Sequence, residues 1–85
     1  MVVVVLPALL AREAGGRKQI EVEAATVGDA LRSLPIADLL FDERGELRRL
    51  VNVYVDGIDA REHDGVETLL ASGQTLQIVQ AVAGG

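Results

Sequence analysis

Cysteine and tryptophan are absent from these 85 residues, and the aromatics come down to Phe41 and Tyr54. Without a thiol there is no disulfide framework, no thiolate metal site, no cysteine nucleophile and no plant-type iron–sulfur cluster. With so few rings the core has to be aliphatic, built from the valines, leucines, isoleucines and alanines that raise the hydrophobic fraction to 49%. A basic stripe is also missing. The net charge is −5 and the arginines are dispersed, which argues against a nucleic-acid footprint. Acidity of this size reads as solubility or as steering toward a basic partner. No stretch approaches the roughly 20 apolar residues needed to cross a bilayer. Met1 to Leu10 is apolar but lacks a basic leader and is interrupted by Pro7, so it reads poorly as a signal peptide, and a cytoplasmic address is expected.

What is present is a succession of short apolar patterns. Val2 to Leu6 is a continuous β-branched run, expected to be a strand covered on both faces. Gly15-Gly16 supplies the positive φ of a turn, and Gln19 to Ala24 alternates apolar with charged residues, so the two strands are expected to form a hairpin. Thr26 caps a helix with Val27, Ala30, Leu31 and Leu34 on its apolar stripe. Pro35 should end that helix near Ser33 or Leu34, and Ile36, Leu39 and Leu40 add a further turn. Phe41 to Arg49 reads as a charged surface loop. Leu50 to Val55 alternates with Val51, Val53 and Val55 inward, and Asp56-Gly57 is a strong hairpin signal before a strand from Ile58 to Arg61. After Asp64-Gly65, the residues Val66, Leu69 and Leu70 fall at helical spacing. Thr75 to Gln80 is the last strand, and residues 81–85 form a tail.

The order is strand, strand, helix, strand, strand, short turn, strand. It predicts an α+β fold, with a mixed sheet of four to five strands and one main helix packed on one face. The β-grasp arrangement of ubiquitin fits this order, leaving register and strand order open. One domain over residues 1–80 and a flexible tail over 81–85 are expected.

Three segments resemble a known family. They are the first strand with Pro7-Ala8-Leu9-Leu10, the run Val51-Asn52-Val53-Tyr54-Val55-Asp56-Gly57, and the closing Ala81-Val82-Ala83-Gly84-Gly85. Together they resemble the ubiquitin-like sulfur carriers of the ThiS/MoaD family, closest to the carrier of cysteine biosynthesis. The resemblance implies that the Gly85 carboxylate is adenylated and then converted to a thiocarboxylate that donates sulfur. Gly84, Ala83 and Val82 would carry it into a partner's active site. Five extended residues reach at most about 17 Å, and two glycines suit a narrow tunnel. The implied partners are an adenylating enzyme related to ubiquitin activation, a sulfur-donor protein, a sulfur-accepting synthase and a metalloprotease that releases product. ATP and magnesium would be used by the activating partner, with no cofactor bound here. Gly15-Gly16-Arg17-Lys18 lacks the spacing of a phosphate-binding loop. The same terminus also suits a protein modifier joined through Gly85 to lysines, or a plain binding module.

No catalytic residue and no metal site are expected on the chain itself. His63 stands near Asp59, Glu62 and Asp64 without a placed nucleophile, which reads as a surface histidine. Asp38, Asp42, Glu43 and Glu46 do not match a calcium-loop spacing and read as solvated. Tyr54, with Val79 and Ile58, is expected on the sheet face opposite the helix. There it either docks a partner or packs against cross-strand neighbours. Arg48, Arg49 and Arg61 could pair with acidic partner residues. A monomer is the simplest expectation.

Overall fold

A computed structural model describes residues 1–80; the tail 81–85, and with it the expectations for Val82, Ala83, Gly84 and Gly85, lies outside the described residues. Five strands form one mixed sheet: β1 Val2–Val5, β2 Gln19–Val22, β3 Val51–Val55, β4 Ile58–Asp59 and β5 Thr75–Gln80. Their spatial order is β2-β1-β5-β3-β4. β1 pairs antiparallel with β2 and parallel with β5, while β3 pairs antiparallel with both β5 and β4. The last strand therefore lies in the middle of the sheet. Three short helices, α1 Ala8–Glu13, α2 Val27–Arg32 and α3 Ala37–Leu40, accompany it, together with 3-10 turns at Ala60–Glu62 and Gly65–Glu67. This is the expected β-grasp sheet, with α2 as the expected helix.

Local chemistry accounts for the elements. The Thr26 hydroxyl accepts a hydrogen bond from the Asp29 amide at 3.1 Å, satisfying one of the amides that α2 leaves unpaired at its start. Val27, Ala30 and Leu31 on the inner side of α2 are wholly buried, and the helix ends at Arg32, ahead of Pro35. α3 supplies the further turn, burying Leu40. In β3 and β5 the inward residues Val51, Val53, Val55, Leu76 and Ile78 meet these helices. Asp56 and Gly57 both take positive φ, 47° and 88°, as a two-residue hairpin turn requires.

Four expectations are corrected. β1 is covered on one face only: Val2 and Val4 are buried, whereas Val3 and Val5 are half-buried on the other side. β1 and β2 pair antiparallel as the expected hairpin, but their connection contains the helix α1 where only a turn at Gly15-Gly16 was expected. Gly15, with φ 76°, stops α1, and the Gly16 amide donates back to the Ala11 carbonyl at 2.8 Å, the geometry of a helix terminus. The strand after Asp56-Gly57 is two residues long, because the Asp59 side chain accepts from the Arg61 amide at 2.8 Å and starts a 3-10 turn. Leu69 does not join a helical stripe. The chain there is extended and bridges Thr26, leaving Leu69 exposed while Leu70 packs on the core.

Candidate functional site

The site is built around the point where β5 ends. Gln80 pairs with Val51, so the residue from which 81–85 depart is tied to the central strands. Three leucines stand exposed among the described residues near this root: Leu9 is 62% exposed, Leu50 44% and Leu39 36%. A groove of about 480 Å³ lies between Leu9, Leu10, Glu13, Leu39, Arg48 and Gln80. Helical geometry explains the pattern. Consecutive residues on a helix point about 100° apart, so in Leu9-Leu10 and Leu39-Leu40 only the second of each pair reaches the core. Sequence reasoning missed Leu9 because it missed α1, and it placed Leu39 in a further helical turn without assigning it a face. The doubled leucines were the available signal.

The open sheet face is the second feature. Register places Val5, Gln77 and Tyr54 in one row across β1, β5 and β3, with Val79 opposite Asn52 beside it. Tyr54 is half-buried and Val79 is 38% exposed. These two share the face away from the helices. Ile58 does not join them: the two-residue turn makes Val55 and Ile58 the closing pair, which puts Ile58 on the side of the inward valines, at the sheet edge. Tyr54 is instead opposite Asp59.

Asp59 organises the margin of that face. Its carboxylate accepts from Arg61 Nε at 3.2 Å and Nη2 at 2.8 Å, and Nη2 also donates to Asn52 Oδ1 at 2.8 Å. The Arg61 side-chain hydrogen bonds, helped by the Arg61 amide, hold the Asp59 carboxyl below the usual aspartate range. The same bonds raise the guanidinium further. Asp42 plays a structural part in the charged loop. It accepts from the Glu46 amide at 3.0 Å and the Arg44 amide at 2.9 Å, and the first of these is the main cause that keeps its carboxyl low. His63 is exposed at the end of a 3-10 turn. No group of three or more His, Asp or Glu side chains that could hold a metal occurs among the described residues.

The comparisons fit this geometry. The chain is 35% identical over 91 residues to the sulfur carrier protein CysO of Mycobacterium tuberculosis, covering 99% of this chain and 98% of that one. It is 38% identical over 82 residues to small archaeal modifier protein 3 of Haloferax volcanii, covering 87% and 88%. The crystal structure of the Amycolatopsis orientalis BexX/CysO complex superposes on all of the chain with a TM-score of 0.84 at 35% identity, covering 100% of the matched chain. The model of the ThiS family matches residues 4–85, from the first strand through Gly84-Gly85, and the chain belongs to that family.

Proposed function

We propose that this chain is a sulfur carrier, a co-substrate recycled between partner enzymes, and that its working group is the Gly85 carboxylate. The observation that carries the reading is the family match running to residue 85 on a β-grasp body whose last described residue, Gln80, is anchored in the sheet. A terminal carboxylate with a pKa of about 3.3 to 3.7 is an anion near neutrality and a poor electrophile. An activating partner holding ATP and magnesium corrects this. A carboxylate oxygen attacks the α-phosphorus, pyrophosphate leaves, and the resulting acyl adenylate loses AMP to a sulfur nucleophile from the donor protein. The thiocarboxylate then donates its sulfur to an acceptor on a synthase. The similarity to CysO favours cysteine formation, with a protease releasing the product from the carrier. That CysO is found in a complex with BexX supports docking of this body on a larger partner, and the leucines around Gln80 with the Tyr54–Val79 face are the surfaces for it. No helix of the described residues is long and apolar enough to cross a membrane.

Intact mass spectrometry tests the reading. Incubated with an activating enzyme proven on its own carrier, ATP, magnesium and sulfide, the chain should gain about 16 Da as sulfur replaces one oxygen. An unchanged mass would refute it. The similarity to an archaeal modifier protein favours a second reading, conjugation through Gly85 to lysines. Lysine remnants bearing Gly-Gly in digests, without a thiocarboxylate, would establish it instead.

A further inference from the structure

Lysine occurs once in this chain: of the eight cationic side chains seven are arginine, and Lys18 is the exception. The difference matters beside an activated carboxyl group. A lysine amine that loses its proton is a nucleophile toward an acyl carbon, whereas a guanidinium keeps its charge and offers no lone pair. Lys18 is exposed, in the bend that leads into β2. The sheet register fixes its place relative to the root of the tail. The Leu6 amide donates to the Lys18 carbonyl at 2.8 Å, one step beyond the row in which Gln19, Val5 and Gln77 face one another across β2, β1 and β5. β5 runs parallel to β1, so its last residue, Gln80, lies beyond that row at the same end of the sheet. Two strand spacings sideways and two residues lengthwise put the Lys18 and Gln80 α-carbons about 12 Å apart, at ~4.8 Å per strand and ~3.3 Å per residue. Residues 81–85 span at most about 17 Å, and a free chain of five residues averages about 12 Å. The Met1 ammonium is the other amine. It donates to Ser72 Oγ at 2.9 Å beside Gly73, at the opposite end of β5 and so about 23 Å from Gln80.

We propose that Lys18 is an internal acyl acceptor: when an activated Gly85 leaves a partner's cleft before sulfur arrives, the Lys18 amine takes the acyl group and closes the tail onto the start of β2 as an isopeptide. The inference rests on the activation of Gly85 proposed above. In the step, neutral Nζ attacks the Gly85 carbonyl carbon. A C–N bond forms, the C–O bond to the adenylate phosphate breaks, AMP leaves with the electron pair, and the surplus amine proton passes to water. The tail's reach of about 17 Å exceeds the span before the lysine side chain is counted, which leaves slack for passing α1, whose Leu9 and Glu13 stand beside Gln80. A tail whose average length matches the span gives the two groups an effective concentration in the millimolar range, so at micromolar protein closure within one chain outruns transfer between chains by about a hundredfold. The product has no terminal carboxylate and cannot be adenylated again, so a carrier left charged without sulfur is retired from the cycle. Arginine at the other cationic positions confines this chemistry to one side chain.

The test uses the full chain bearing Gly85 as a thioester of mercaptoethanesulfonate, at about 20 μM in mildly alkaline buffer with no partner enzyme. Attack by Lys18 then expels a thiolate in place of AMP. Because the acyl donor is supplied chemically, failure here leaves enzymatic activation of Gly85 standing, and failure of that activation leaves this result standing. Intact mass should show a species about 18 Da lighter than the free acid, the loss of one water. Digestion should yield a peptide crosslinked between Lys18 and Gly85, and the closed fraction should hold constant over about a tenfold range of protein concentration. Lys18→Arg keeps the charge at an exposed position and should leave only hydrolysis to the acid. Lys18→Arg with Ala71→Lys, also at an exposed position, carries the amine to the Met1 end and should close at least about tenfold less. Hydrolysis alone in the unaltered chain overturns the proposal, as does linkage to Met1, a product of doubled mass that grows with concentration, or equal closure in the relocated variant.

Discussion

Leu76 and Val79 lie three residues apart on β5, on opposite faces, and truncating each to alanine tests the architecture directly. Leu76 is wholly buried, paired with Val4 on one side and Val55 on the other. Leu76→Ala removes three carbons, worth about 2.4 kcal/mol at roughly 0.8 per buried methylene. The cavity left between two strands that cannot close up brings the loss to about 3 to 4 kcal/mol, inside the observed range of about 2 to 5 for such sites. Against a total stability of about 4 to 13 kcal/mol for a domain of this length, that is a large share. The melting temperature should fall by about 12 to 30 °C. Val79 is 38% exposed on the open face, so Val79→Ala should cost less than about 1 kcal/mol. Urea unfolding followed through the fluorescence of Tyr54, the sole tyrosine in a chain without tryptophan, measures both. Equal losses, or a loss under about 1 kcal/mol at Leu76, would mean that the alternation along β5 has been assigned to the wrong faces.

Thr26→Ala should destabilise the protein by about 1 kcal/mol by leaving the Asp29 amide without its cap, and Thr26→Ser should restore most of it in the same unfolding assay. Gly57→Val places a β-branched residue at φ 88° and should cost about 1 to 3 kcal/mol, whereas Gly57→Asn should cost less. For Asp59, the depressed carboxyl contributes stability that is present above the ordinary aspartate range and is lost as pH falls through the lowered native value. Carboxyl NMR should therefore show Asp59 titrating below the ordinary aspartate range, and Arg61→Ala should raise it part of the way back, since the residue-61 amide still donates to it. An unchanged midpoint in that variant would remove Arg61 as the cause.

The parts of this fold that the sequence declares are those in which one local rule acts alone. Val51, Val53 and Val55 alternate with polar neighbours, Asp56-Gly57 demands a tight turn, and Thr26 and Pro35 bracket a helix; each became the element it implied. The illegible parts are those where one pattern serves two structures. Four consecutive valines do not say which face will be covered, and Val3 and Val5 ended on the open side because the helices pack on the other. Gly15-Gly16 serves a hairpin and a helix stop equally well, and only the Gly16 hydrogen bond to Ala11 decides between them. Ile58 shows how little separates success from failure at a site: its face follows from the length of one turn, and it parts from Tyr54 and Val79 for that reason. Leu9 and Leu39 were hidden because a leucine pair on a short helix looks like core until the helix axis is known.

The position of β5 also bears on how a partner would recognise the carrier. Parallel pairing with β1 joins Val3 to Thr75, and Gln80 reaches its place only once β3 has been laid against it. The leucines around that root come from α1, α3 and the residue before β3, segments far apart in the chain that meet only in the folded protein. A partner gripping this collar would therefore read the finished fold, because an unfolded chain presents the same terminal glycines without the surface beside them. Local fraying cannot loosen the root cheaply, since freeing β5 means breaking its pairing with both β1 and β3 and exposing Leu76 and Ile78 to water. In the proposed carrier, the stability of the core and the placement of the reactive terminus are consequently one property, and a core substitution such as Leu76→Ala should lower both together.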